Sequence, residues 1–430
     1  MEGKEEQVHV ELERASSRHT QSSRLAFGRL RRSVRYTVTL TRICFGRLFT
    51  SFSRTMSDNP SFVLRSVEDV AYEQRPIPEI SDREVLVEVK KTGICGSDIH
   101  YLAHGRIGDF VVKDPMVLGH ESSGVISKVG SKVKHVKVGD RVAIEPGSTC
   151  RFCDMCKSGR YNLCPDIVFA ATPPYDGTLG RYYRVIGDLT YPLPQNLSLE
   201  DGAMMEPLSV GVHSVASLGG FGHGQSIVVF GCGPVGLLCM AVAKALGAKR
   251  IIAVDIVPSR LEFAKSYAGA ETYLPPAPVK DESRIDYSLR NSENMKKVLG
   301  IEERGPNSIN LVVEASGAEV SIQTGLYVVG TGGTFVQVGM GSPNININLT
   351  MIMTKELCFK GSFRYGPGDY PLAISLVAQG KIDLKPLVTH RYAFDEAIAA
   401  FQATRQGKSD DGKGVIKAII SGPDVSVADL

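Results

Sequence analysis

Hydrophobic patterning changes texture twice along the chain. Between residues 62 and 145 the apolar residues come in short runs cut by Gly, Pro and Asp. These runs are Phe62-Val-Leu, Val85-Leu-Val-Glu-Val-Lys, Gly124-Val-Ile-Ser-Lys-Val-Gly and Val136-Lys-Val-Gly-Asp-Arg-Val-Ala-Ile. They predict strands, with Pro76 and Pro78 turning the chain after the first, in a folded, partly closed sheet. From about residue 208 a wholly apolar strand (Ser226-Ile-Val-Val-Phe) leads through a Gly-rich turn into a helix ending near Ala248. A second strand, Arg250-Ile-Ile-Ala-Val, follows. The alternation resumes at Asn310-Leu-Val-Val-Glu and Gly333-Thr-Phe-Val-Gln-Val, which predicts a parallel sheet covered by helices on both faces. Beyond about 350 the pattern returns to strand and loop (Leu357 to Tyr365), then a helix over 370–379, a strand at 388–392 and a helix near 395–405. This tail is expected to rejoin the β-rich lobe, leaving the parallel-sheet domain inserted within it and a small-molecule cleft between the two.

One apolar run has nearly the length of a membrane span: twenty uncharged residues separate His223 from Lys244. Gly231, Gly233, Pro234 and Gly236 break it in the middle, so a strand, a turn and a buried helix are expected, and no membrane is implied.

Composition adds little to this picture except at the N-terminus. A chain of 430 residues has room for two or more domains. The net charge of +3 is uneven: residues 1–57 carry ten Arg and one Lys against five Glu, the remainder 38 basic against 41 acidic residues. Nothing in the body therefore suggests nucleic acid. From Arg14 to Ser57 there is no Asp or Glu, a composition similar to a mitochondrial transit segment, but Glu2, Glu5, Glu6, Glu11 and Glu13 run against that reading. Residues 1–55 are expected to be a disordered basic leader or a spurious extension, and the working protein, beginning near Met56, to be cytoplasmic.

The chemistry begins with the nine cysteines. An odd number in a chain of this size does not suggest a disulfide framework. Cys150, Cys153, Cys156 and Cys164, spaced C-x2-C-x2-C-x7-C, can enclose a tetrahedral ion with no open position. Free surface thiols or an iron–sulfur cluster are the alternatives; a structural zinc is expected. Earlier in the chain, Cys95, His120 and Glu121 supply three different zinc donors among small residues, and the adjacent His-Glu pair needs a bend at Gly119 to point both side chains one way. On spacing alone a plain thiol and a satisfied imidazole remain open. Between the first two strands of the alternating region, Gly231-Cys-Gly-Pro-Val-Gly236 opens a helix, and Asp255 closes the second strand nineteen residues later. A tight turn, a close backbone approach and a helix N-terminus serve a dinucleotide pyrophosphate, and the acid serves the adenine ribose. The charge of Asp255 disfavours a 2′-phosphate, so NAD is expected over NADP. Arg260 either packs over the adenine or softens that preference.

Together these motifs resemble the zinc-containing medium-chain dehydrogenase/reductase family, over residues 60–422. Its polyol branch, the sorbitol, xylitol and L-arabinitol dehydrogenases, is matched by Gly93-Ile-Cys-Gly-Ser-Asp-Ile-His-Tyr101, Gly119-His-Glu121, Phe169-Ala-Ala-Thr-Pro-Pro174, Glu206-Pro-Leu-Ser-Val-Gly211 and Phe363-Arg-Tyr365. Gly159-Arg-Tyr-Asn-Leu-Cys-Pro and Gly366-Pro-Gly-Asp-Tyr370 look most like the fungal xylitol dehydrogenases, or D-xylulose reductases. The resemblance implies an α/β fold: a GroES-like catalytic domain (56–207 and 349–430) with an inserted Rossmann-type, doubly wound NAD domain (208–348). It implies two zinc ions per subunit, a catalytic one on Cys95, His120 and Glu121 and a structural one on the four-cysteine loop. Glu206 stands where alcohol dehydrogenases carry a third Cys ligand, which points away from simple primary alcohols. Ser97 and His100 resemble a proton relay. Tyr101, Phe169, Thr172, Glu206, Arg364 and Tyr365 are the implied substrate residues, although Phe169 and Tyr365 also suit core packing. Cofactor contacts are expected from Gly231, Gly233, Pro234, Val235, Gly236, Asp255, Arg260, Val338, Gly339, Met340, Ser362, Phe363 and Arg364. The implied reaction is NAD-dependent oxidation of a polyol secondary hydroxyl to a ketose, xylitol to D-xylulose, with L-arabinitol and sorbitol as alternatives. A homo-tetramer or homo-dimer is implied. A zinc-free quinone reductase or a non-catalytic NAD-binding protein of this fold is expected to have lost some of these ligands, and none is lost.

Overall fold

The computed structural model describes residues 58–428. The expectations for the leader, residues 1–55, lie outside them.

Valine-rich alternation builds the first sheet. In Glu84–Gly93 the side chains of Val85, Val87 and Val89 point into one core with Ile126, Val142, Ile144 and Val185. Each such side chain, fully buried, stabilises the fold by about 1.5–3 kcal/mol. This strand is the centre of the sheet, pairing antiparallel with Glu121–Val129 on one side and with Lys417–Ser421 on the other. Arg141–Ile144 and Thr190–Pro192 extend the sheet beyond Glu121–Val129, while Val388–Tyr392 flanks Lys417–Ser421 in parallel. Strands from both ends of the described chain thus share one sheet.

Between them the chain forms a second sheet of six parallel strands. Counted along the chain within that sheet, their spatial order is 3-2-1-4-5-6. The first strand, Ser226–Phe230, is buried along its whole length because both faces are covered. Ile227 and Val229 pack with Leu237, Leu238 and Val242 of the helix Pro234–Ala245; Val228 and Phe230 pack with Ile322 and Leu326 of the helix Glu319–Val328. The Gly-rich turn makes this strand–helix contact possible: a Cβ on Gly236 would lie 1.8 Å from the Gly231 carbonyl oxygen. The apolar run is therefore strand, turn and helix, and among the described residues no helix is long and apolar enough to cross a membrane.

One expected boundary is corrected. Cys358–Gly361 pairs in parallel with Val329–Gln337 as the sixth strand, so the parallel-sheet region runs past 348. The preceding helix, Leu349–Thr354, has no buried residue, and all four residues of the strand are exposed, so neither carries the periodicity that marks an inserted unit.

Candidate active site

Cys95 is the N-cap of the helix Gly96–His104, and Asp98 in its first turn accepts the Cys95 backbone N–H at 3.0 Å. The bend expected before His120 is present: Gly119 has φ +87°, a value that favours glycine. Glu121 then starts its strand opposite Gly93, where a Cβ would come within 2.2 Å of the Glu121 Oε2. The outcome is convergence. One ligand atom each from Cys95, His120 and Glu121 lie within 4.8 Å of one another, with the imidazole and carboxylate buried. Sulfur, nitrogen and oxygen at this separation fit zinc with a fourth position left for an exchangeable oxygen.

Two buried charges that the sequence reading missed hold this set in place. The Asp98 carboxylate accepts the Gly119 N–H at 3.0 Å and stands 3.6 Å from His120 Nδ1, leaving Nε2 as the nitrogen for a ligand. Burial opposes a charge on His120, but Asp98 and Cys95 outweigh it and raise its pKa well above the ordinary value. Lys417 donates to both Glu121 oxygens, at 2.8 and 2.7 Å, and to the Ile94 carbonyl at 3.0 Å. Asp98 lies inside the quoted Cys95 motif and was legible there. Lys417 reaches the site only because its strand joins the central one, and no local signal marks it.

Around these groups the fold gathers the expected substrate residues. Phe169 lies with its ring centroid 6.0 Å from that of His120 and 6.5 Å from that of Tyr365. The Arg364 guanidinium sits 3.8 Å from the Phe169 ring centroid. Arg364 Nη1 and Tyr365 Oη are buried without a hydrogen-bond partner. Unpaired buried donors of this kind call for a ligand rich in oxygen acceptors. Tyr101 is buried beside Thr172, with burial raising its pKa. Glu206, in the first turn of the helix Met205–Val212, is buried and its carboxyl is pushed up to about 7, chiefly by burial, with Glu121 adding to the effect and His120 and Lys417 opposing it. It stands outside the convergent set of three donors. Ser97 and His100 lie on the Cys95 helix, but His100 is exposed, 5.6 Å ring to ring from His104, and neither side chain makes a hydrogen bond among the described residues. The structure does not join them as a relay.

The expected cofactor residues lie at the carboxyl ends of the parallel strands. Gly233 caps the helix that starts at Pro234 and Val235. Asp255 is buried and accepts the backbone N–H groups of Cys232 (2.8 Å) and Val257 (2.9 Å), tying the second strand to the Gly turn. A carboxylate has about four acceptor sites, so ribose hydroxyls can still bind it. Arg260 is exposed on the helix Pro258–Ala268. Val338 and Gly339 donate to the Glu314 carbonyl, at 2.9 and 2.8 Å, Met340 is exposed beyond them, and Ser362 donates to the Gln337 carbonyl at 2.8 Å. Ser362, Phe363 and Arg364 thus run from the nucleotide edge of the sheet into the Phe169 pocket. Glu314 is a third missed residue: its carboxylate accepts from Gly317 N–H (2.9 Å) and Gln337 Nε2 (2.7 Å), clamping two of the loops at this edge.

Cys150, Cys153, Cys156 and Cys164 converge elsewhere, their sulfurs all within 4.8 Å of one another. Backbone N–H groups of Phe152 and Cys153 point at Cys150 Sγ from 3.4 and 3.3 Å, and these bonds lower the Cys150 pKa to about 7. Four thiolate donors around one point fit a tetrahedral ion with no vacant position.

A nucleotide-binding parallel sheet beside a three-donor metal set defines a metal-dependent dehydrogenase. Residues 81–195 match the family model described as the alcohol dehydrogenase GroES-like domain, and residues 234–379 match that of the zinc-binding dehydrogenases. D-xylulose reductase A of Aspergillus niger is 52% identical over 375 residues, which cover 87% of this chain and 99% of that protein. Among solved structures, L-idonate 5-dehydrogenase of Escherichia coli is 29% identical with a TM-score of 0.72, covering 84% of this chain and 98% of its own. An alcohol dehydrogenase of Escherichia coli CFT073, solved with the cofactor NADH, is 25% identical with a TM-score of 0.73, covering 84% and 99%. The chain belongs to the zinc-binding medium-chain dehydrogenase family, as an α/β enzyme with a GroES-like part and a Rossmann-like sheet.

Proposed function

We propose that this enzyme oxidises a secondary hydroxyl of a polyol to a ketose with NAD as hydride acceptor, xylitol and D-xylulose being the substrate pair. The observation that carries the reading is the polar pocket over the three donors: unpartnered Arg364 Nη1 and Tyr365 Oη, with Glu206, Tyr101 and Thr172 beside them. A site built to bond several hydroxyls strongly rejects analogues that lack them. The identity to the D-xylulose reductase of Aspergillus niger supports the particular polyol.

Cys95, His120 and Glu121 would hold the catalytic zinc, and the four-cysteine loop a structural one. When bound, the catalytic ion supplies a Lewis acid that lowers the pKa of a hydroxyl oxygen it contacts. The chain's own groups do the rest. Asp98 fixes the His120 ring, and Lys417 balances the Glu121 charge. Glu206, with a pKa near neutrality, holds or takes a proton at the substrate hydroxyls. Ser97 and His100 serve as the outward proton path once substrate and water connect them. Phe169 supplies an apolar wall that limits water. Gly231, Gly233 and Gly236 receive the pyrophosphate, and Asp255 the ribose, in preference to a 2′-phosphate. We further assign the enzyme to the cytoplasm, where a reducing environment suits the thiol loop. A homo-dimer or homo-tetramer is supported by the exposed edge strand Cys358–Gly361 with Phe359, Leu349 and Met353 exposed beside it.

The test is NADH production by the purified protein from xylitol, D-sorbitol, L-arabinitol and ethanol. Xylitol leading and ethanol inert is the expected outcome. Ethanol matching the polyols would overturn the substrate class.

A further inference from the structure

The cysteine loop and the polyol pocket meet at one side chain. Asn162 lies on the short 3-10 helix Tyr161–Leu163, between the third and fourth cysteines of the loop. It is buried, at 7% exposure, and its Nδ2 donates to the Phe363 carbonyl at 2.9 Å, across 201 residues of sequence. The next residue is Arg364, whose φ of +60° lies in the left-handed region that a long side chain rarely adopts. Such a conformation persists only where the surroundings over-determine it. Ser362 is tied to Gln337 before the bend, Gly366 donates to the Asp369 carboxylate after it at 2.6 Å, and that carboxylate is itself held by His213 (2.7 Å) and Ser217 (2.6 Å). At the bend itself, Asn162 holds the carbonyl that enters the Arg364 peptide. The bend is what lays the guanidinium on the Phe169 and Phe363 rings, 3.8 and 4.5 Å from their centroids, with Nη1 buried and unpaired beside Tyr365.

We infer that Asn162 is a positioning residue for polyol recognition, through which the four-cysteine loop sets the aim of Arg364 and not only the stability of its own lobe. This rests on the polyol reading of the pocket. Asn162 touches neither substrate nor cofactor; it acts through the Phe363 carbonyl.

Asn162→Asp keeps the size of the side chain and removes the donor. In the full-length protein, KM for xylitol is expected to rise about tenfold, equivalent to about 1.4 kcal/mol, while kcat, NADH affinity and zinc content stay within about twofold. Turnover of 2-butanol, which offers Arg364 no further hydroxyl, should not change. In an Arg364→Ala background the Asn162→Asp change should add nothing to KM, because the two act as one unit. Asn162→Gln, which restores an amide donor, should recover part of the affinity. An unchanged KM in Asn162→Asp, against an active wild type, overturns the link alone. A joint fall of kcat, NADH affinity, zinc content and Tm overturns it too, since that is what a merely structural residue gives. If the wild type makes no NADH from any polyol, the functional reading fails first and the link falls with it.

Discussion

The four thiols of the cysteine loop come from fifteen neighbouring residues, whereas Cys95, His120 and Glu121 are completed by a lysine 296 residues away. The loop's sulfurs are half-buried apart from Cys164, and their closest partners are backbone N–H groups and one another. The mixed set is more deeply buried and ringed by charge: Asp98 behind the imidazole, Lys417 on the carboxylate, Glu206 nearby. A local, four-sulfur plan closes around an ion and leaves nothing to react. A dispersed, three-donor plan leaves a position open, and it needs outside charges to keep three dissimilar groups aimed at one point. On the proposed function, the first plan would hold an ion and the second would use one.

That contrast is sharpest in turnover. Cys95→Ala should cut polyol oxidation at least about a thousandfold, the several kcal/mol a metal ion contributes to charge stabilisation, with NADH binding retained. Cys153→Ser in the loop should lower Tm while leaving kcat per folded molecule nearly unchanged. Equal losses of kcat in the two variants would erase the distinction.

Stability should respond most to the charge behind the mixed set. Lys417 and Glu121 are both nearly inaccessible to solvent. Lys417→Met strands a buried carboxylate and should cost about 3–5 kcal/mol in urea unfolding, much of it recovered by adding Glu121→Gln. A loss below about 1 kcal/mol, the scale of an exposed pair, would show that the ion pair is hydrated.

Beside the cysteine loop, Glu145 tests the same physics without a metal ligand. Its carboxylate accepts from Tyr161 and Tyr191 at 2.7 Å each, and burial pushes its pKa from 4.5 up to about 7. An acid with a raised folded-state pKa stabilises fully below its unfolded value, and that contribution is lost as pH rises. The wild type should therefore lose on the order of 3 kcal/mol between about pH 4.5 and 7 relative to Glu145→Gln. Parallel stability–pH curves for the two proteins would contradict the assignment.

The smallest expected effect is at Asp98. Asp98→Asn keeps the shape, weakens the hold on His120, and should lower zinc affinity or turnover about 10- to 100-fold. Metal competition with a coloured chelator reads the first, steady-state kinetics the second.

What the sequence made legible follows the same division. The cysteine loop and the Gly turn are local, so spacing alone exposes them; Cys95, His120 and Glu121 needed the family resemblance to become more than suggestive. Asp98 stood within the quoted motif, but its bonds to Gly119 and His120 depend on the fold that brings residue 119 beside the Cys95 helix. Lys417, Glu314 and Asn162 were invisible because each acts through a contact set by strand order or lobe packing. The exposed strand Cys358–Gly361 was misplaced in the tail because four solvent-facing residues carry no burial pattern.

The division of labour between the two donor sets is separable by a chelator titration in which zinc release, polyol turnover and unfolding are followed on one sample. Two zinc ions per chain are expected, the first released abolishing turnover while the fold and NADH binding persist, the second released only as the protein unfolds. Turnover that survives loss of the first ion, or that falls only in step with unfolding, would contradict it.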